Sequence, residues 1–228
     1  MKKIYSLLLI LFPALVFSQQ DSIANNTSKS KKEKKEDRSL GLGIKAGLNF
    51  TNITSAAEIN NTSETGFQVG IFLDPSSRKI LGSRTELVYS SQAYNYSTGL
   101  TTGNVKLNYV MLSQLMAINI TRFFQIQLGG QIAYLLNAQA DNSKMTTGIA
   151  SIDNALSYYN RIDAGFGFGL EVRPFKGILV GARYNISMTN LYKMPDTSMI
   201  QDNPNYVPSG SGLNFKNNLL QFYIGYRF

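Results

Sequence analysis

Two carboxylates, Asp163 and Glu171, stand in a stretch otherwise rich in glycine and apolar residues, "RIDAGFGFGLEVRPF". A carboxylate pair can share general acid and general base work if both groups reach one substrate. Here the apolar positions alternate, so the stretch reads as a β-strand with both carboxylates on one face. Eight residues at about 3.3 Å each set them about 26 Å apart. They are too distant to act together, and ion pairing with Arg84, Arg173 and Arg183 is the expected role. The sequence has no histidine and no cysteine. Imidazole acid–base catalysis, thiolate nucleophiles and disulfides are therefore excluded, and a metal would find only oxygen ligands. "DNAL" and "DNPN" offer such oxygens without the spacing of a calcium loop. "GFGFG" has neither the following helix nor the lysine of a phosphate-binding loop. No catalytic residue, metal site or cofactor is expected, and the protein is read as a non-enzyme.

The elements that place these side chains are all of one kind. In "LGLGIKAGLNF", Leu40, Leu42, Ile44, Ala46, Leu48 and Phe50 alternate with small or polar residues, the period of a strand with two unlike faces. "FQVGIFL", "LGSRTELVYSSQAY", "FFQIQLGGQIAYLL", "RIDAGFGFGLEVRPF", "ILVGARYNIS" and the closing "LLQFYIGYRF" repeat the pattern. "VKLNYVMLSQLMAINI" is apolar at most positions, with alternation that slips near Ser113 and Gln114. Its β-branched and aromatic content reads as a strand with a bulge. The total is eight strands, each about the 9–11 residues that cross a membrane.

The polar face decides which side is outside. It carries Lys45, Arg84, Glu86, Arg161, Asp163, Glu171, Arg173, Arg183 and Arg227, together with glycines and glutamines. A soluble barrel or sandwich would turn such a face to water, but water-facing strands favour lysine, and Lys45 stands almost alone. Glycine makes room in a confined space, and arginine forks match carboxylates there. The apolar face is Leu, Ile, Phe and Val with Tyr near strand ends, the composition of a lipid-facing band with aromatic girdles. Connections alternate between long, near residues 51–65, 95–104, 138–158 and 191–216, and short, "DPSSRK", "TRF" and "PFKG". Transmembrane barrels show that alternation, with the short turns in the periplasm. The expected fold is all-β, an eight-stranded antiparallel up-and-down transmembrane β-barrel over residues 39–228. An even strand number sets both of its ends on the periplasmic side.

Residues 1–18 have the form of a secretory signal peptide. Lys2 and Lys3 precede the apolar run Ile4–Phe17, with Val16 and Ser18 at the −3 and −1 places of a cut before Gln19. Residues 19–38, rich in Lys and Glu, lack the apolar content to fold and read as a flexible periplasmic tether. Signal and tether hold much of the net charge of +8, so the remaining domain is mildly basic. An exported protein of this kind is not expected to meet nucleic acid.

The order Gly43-x-Lys45-x-Gly47-x-Asn49, with "RTELVYSS", "DAGFGFGLEVRPF", "GARYNIS" and the aromatic C-terminus, resembles the PorT-like outer-membrane β-barrel family from Leu40 to Phe228. The resemblance implies a place in the bacterial outer membrane. It also implies that Phe222, Ile224, Tyr226 and Phe228 form a signal read by the barrel-insertion machinery. One member is linked to type IX secretion and gliding, which adds a secretion-assembly partner to the partners considered. The expected partners are outer-membrane lipid, the insertion machinery and a surface or secretion-system protein. Two functions stay open: a structural or interaction barrel acting through its external loops, and a narrow, anion-biased channel or small-solute carrier. An eight-stranded barrel is only about wide enough for its own side chains, which argues against a general pore.

Overall fold

The computed structural model describes residues 41–54, 62–75, 80–97, 102–140, 156, 159–193 and 215–228. The proposed signal peptide and tether, "DNPN" and most of the long connections lie outside the described residues. The strands are β1 (Leu42–Thr54), β2 (Thr62–Leu73), β3 (Leu81–Ser97), β4 (Thr102–Asn119), β5 (Phe124–Ala140), β6 (Ile162–Phe175), β7 (Ile178–Ser187) and β8 (Lys216–Arg227). Each pairs antiparallel with the next, and β8 pairs with β1 to close the barrel. The eight-stranded up-and-down architecture is as expected from the alternation.

Closure sorts the two faces. Ile224 is 58% exposed on the outer surface, whereas Arg84 is fully buried inside. Leu42, Ile44 and Leu48 of β1, Phe166, Phe168 and Leu170 of β6, and Phe222, Ile224 and Tyr226 of β8 are all outward and exposed. At the closing seam Leu48 pairs with Phe222, and the Phe228 amide donates to the Leu42 carbonyl at 2.9 Å. The connections β2–β3, β4–β5 and β6–β7 lie at one end, called lower below. The tightest is Lys176–Gly177, where Gly177 takes φ +85°, a left-handed conformation that glycine adopts without strain. Inside, a Cβ on Gly43 would fall 2.1 Å from the Phe72 ring, and one on Gly181 2.4 Å from the Tyr223 ring. Glycine at these two positions admits an aromatic side chain to the lumen.

Two expectations are corrected. β4 does not slip at Ser113 and Gln114. Val105, Leu107, Tyr109, Met111, Ser113, Leu115 and Ala117 form one unbroken buried row. The irregularity falls at Asn108/Tyr109, where β5 holds one residue more than β4. The strand is apolar on both faces because its inner row packs an apolar part of the lumen while its outer row carries the exposed Leu112 and Met116, so hydropathy alone lost the period. Strand lengths also differ from expectation: β3, β4 and β5 run to 17, 18 and 17 residues. At about 3.3 Å per residue and a tilt of about 40°, they outreach an apolar band about 25 Å tall. Their short turns tie them at the lower end, so the surplus forms a raised wall at the other. Ala93 is buried between buried Gln92 and Tyr94, beside the β2–β3 register shift that interrupts the alternation there.

Candidate functional site in the barrel interior

The lower interior is an ion-pair network centred on Glu86 of β3. Its carboxylate accepts from Lys45 Nζ at 2.6 Å and from Arg183 Nη1 and Nη2 at 2.6 and 2.9 Å, and Arg84 Nε lies 2.7 Å away. Arg84 turns its Nη1 to Glu171 at 2.6 Å. Glu171 also accepts from Arg173 at 3.0 Å, Gln127 at 3.0 Å and Tyr223 at 3.2 Å. Arg173 reaches on to Asp74 at 2.7 Å. Gln127 accepts from Arg183 and from Tyr223. Aromatic faces complete the layer: Arg84 stands 3.9 Å over Phe72, and Lys45 4.5 Å over Tyr223. Alternation on seven strands delivers these groups to one level, where guanidinium forks suit the paired carboxylates.

Above this lies an uncharged polar layer. Asn49 donates to Phe67 O, Ser90 Oγ and Ser91 O at 2.9, 2.9 and 3.0 Å. Asn217 donates to Gln92 at 2.6 Å, and Asn185 to Gln221 at 3.0 Å. Nearer the upper end the lumen is apolar, with Val105, Leu107, Leu135 and Phe215 in one buried cluster. It is topped by three tyrosine hydroxyls, Tyr94 meeting Tyr159 at 2.7 Å and Tyr192 at 2.8 Å.

Of the nine residues expected in a luminal network, Lys45, Arg84, Glu86, Glu171, Arg173 and Arg183 come together. Asp163 does not join them. It accepts from Ser187 Oγ at 2.5 Å and from Thr189 near the upper end, far from the arginines expected to pair with it. Arg161 is corrected as well: it precedes the first residue of β6, is exposed, and donates to Tyr134 on the outer face at 3.5 Å. Arg227 is half-buried at the lower rim, its amide bonded to Gly177 O at 2.7 Å. Phe222, Ile224, Tyr226 and Phe228 all lie exposed on the outer row. Sequence reasoning missed Asp74, hidden in a segment read as a turn, and Gln127, Phe72 and Tyr223, whose inward positions the period of two already carried.

This arrangement binds and fills; it has no poised nucleophile or base. Glu86 and Glu171 are each saturated by cations, and Asp163 and Glu171 occupy different levels. Among the described residues no group of three or more acidic side chains could hold a metal. A family model described as outer membrane protein beta-barrel domain matches residues 17–193. Among solved structures of similar fold, Neisserial surface protein A is 16% identical with a TM-score of 0.49, covering 82% of this chain and 97% of that one. Ail of Yersinia pestis is 12% identical at 0.43, covering 82% and 99%, and outer membrane protein W of E. coli is 14% identical at 0.43, covering 84% and 100%. A comparison with curated proteins finds no match. With a closed barrel, an apolar outer face and a family model spanning most of its length, the chain belongs to the outer membrane protein beta-barrel domain family and is a protein of the bacterial outer membrane.

Proposed function

We propose that this is a closed-lumen, non-enzymatic barrel of PorT-like type that works by binding a surface or secretion-system protein at its upper end. In this reading residues 1–18 direct export, and residues 19–38 hang in the periplasm with the short turns and both barrel ends. The upper end faces the cell exterior, where the raised wall of β3, β4 and β5 and the tyrosine-topped apolar cluster form a rigid platform for the long connections. The observation that carries the reading is the filled interior. The arginines that would give a channel its anion bias, Arg84 and Arg183, are bound to Glu86 and Glu171, and Leu107 and Leu135 are fully buried above them. Among the described residues the luminal arginines are engaged by carboxylates and capped by buried apolar side chains, which weighs against the channel reading. Planar-bilayer recording of the purified full chain tests this. The expected outcome is no unitary conductance steps, and steady steps whose ion selectivity changes in Arg183→Gln would replace the interaction reading with the channel.

A further inference from the structure

The outer wall carries one long polar side chain where lipid is expected. Upward along β4 the outward row runs Ile118, Met116, Gln114, Leu112, Val110, and Val110 lies between Tyr89 and Tyr134 of the upper aromatic girdle. Gln114 is therefore two outward positions from that girdle and two from Ile118, near the middle of the apolar band. It is exposed, as are its neighbours Leu87, Leu112, Met116, Leu128 and Ile132. Among the described exposed strand residues between the lower turns and that girdle, the other polar side chains are hydroxyls.

Thr85, Gln114 and Gly130 stand in register across β3, β4 and β5. Thr85 Oγ1 donates to Gln114 Oε1 at 2.7 Å. Among the described residues nothing accepts from the Gln114 amide nitrogen. Beside it, a Cβ built on Gly130 would meet nothing nearer than Gly165 O at 4.0 Å, so the wall is hollow there. An amide with unused donors is costly in hydrocarbon, and side chains of this kind hold transmembrane segments together, small residues letting the backbones approach.

We infer that the Thr85–Gln114–Gly130 row is where two copies of this chain associate side by side in the membrane. Self-complementarity selects a second copy as the occupant. Two barrels with the same orientation and depth meet about a two-fold axis along the membrane normal, so a residue at the contact faces its own symmetry mate. A lysine or glutamate there would repel itself. An amide is both donor and acceptor, and its oxygen keeps a second lone pair beside the Thr85 bond. Each Gln114 Nε2 can then donate to the other Gln114 Oε1, and the hollow at Gly130 accepts an apolar side chain from the facing wall.

The chain contains no cysteine, so single-cysteine oxidation in native membranes tests the contact cleanly. Leu112→Cys is expected to give a covalent homodimer, and Leu48→Cys on β1 is expected to stay monomeric. Adding Gln114→Leu to Leu112→Cys is expected to lower the dimer yield about three- to tenfold, and adding Gly130→Leu is expected to lower it too. Heat-dependent gel mobility, retained in every variant, separates loss of the contact from loss of the barrel. The inference is overturned if Leu112→Cys cross-links no more than Leu48→Cys. It is equally overturned if the Gln114→Leu background leaves the yield unchanged, or if the product contains a different protein.

Discussion

At the lower level of the lumen Glu86 gathers Lys45, Arg84 and Arg183 from three strands, whereas above it Leu107, Leu135 and Leu219 fill the same cross-section with hydrocarbon. Both levels are buried inside the closed barrel, yet they depend on sequence differently. The ionic level is directional: both oxygens of Glu86 and of Glu171 have an assigned guanidinium or ammonium, so a register shift in any contributing strand leaves a buried charge without a partner. The apolar level is tolerant, because neighbouring side chains can settle around a change in shape. The lower level therefore specifies how the strands align, and the upper level supplies bulk.

The difference can be broken at the ionic level first. Glu86→Gln leaves three cations facing a neutral amide and is expected to destabilise the barrel by about 3–5 kcal/mol. Urea titration of the refolded protein in micelles, followed by gel mobility, checks it. Leu135→Ala strands no charge, and apolar neighbours close part of the gap, so the loss is expected at about 2–3 kcal/mol in the same titration. The smallest effect belongs to Arg161. Sequence alternation put it inside, but the structure puts it at the surface against Tyr134. Arg161→Gln is expected to shift stability by no more than about 0.5 kcal/mol. A loss comparable to that of Glu86→Gln would restore Arg161 to the lumen.

The alternation of Leu42–Phe50 and of Phe124–Tyr134 carried the strand type, the strand number and the outward face, because a barrel wall between lipid and a charged lumen has the strongest two-sided contrast a strand can have. β4 was harder to read for the opposite reason. With Leu107 and Leu115 inside and Leu112 and Met116 outside, it has no contrast to follow. Period two put Glu86 and Arg183 on the same inner face, but the choice of partner depends on the relative height of β3 and β7. That height is set by the register of the strands between them, which no single strand contains. Asp74 escaped for a related reason: it sits just past β2, where turn composition hides the fact that Arg173, 99 positions later, returns to the same rim. Arg161 shows where alternation stops being a guide, since the strand begins at Ile162 and the inner face is not enforced before it, whereas Asp163 keeps the inner row but bonds Ser187 rather than an arginine.

A dry, filled interior inside a lipid-facing wall is the central claim, and Ser90, fully buried at the middle polar level, reports on it most directly. In a chain without other cysteines, Ser90→Cys in the folded barrel is predicted to resist a water-soluble maleimide applied from either side of the membrane and to react fully once the barrel is unfolded. Rapid labelling of the folded protein from either side would contradict the claim and mean that water crosses the lumen.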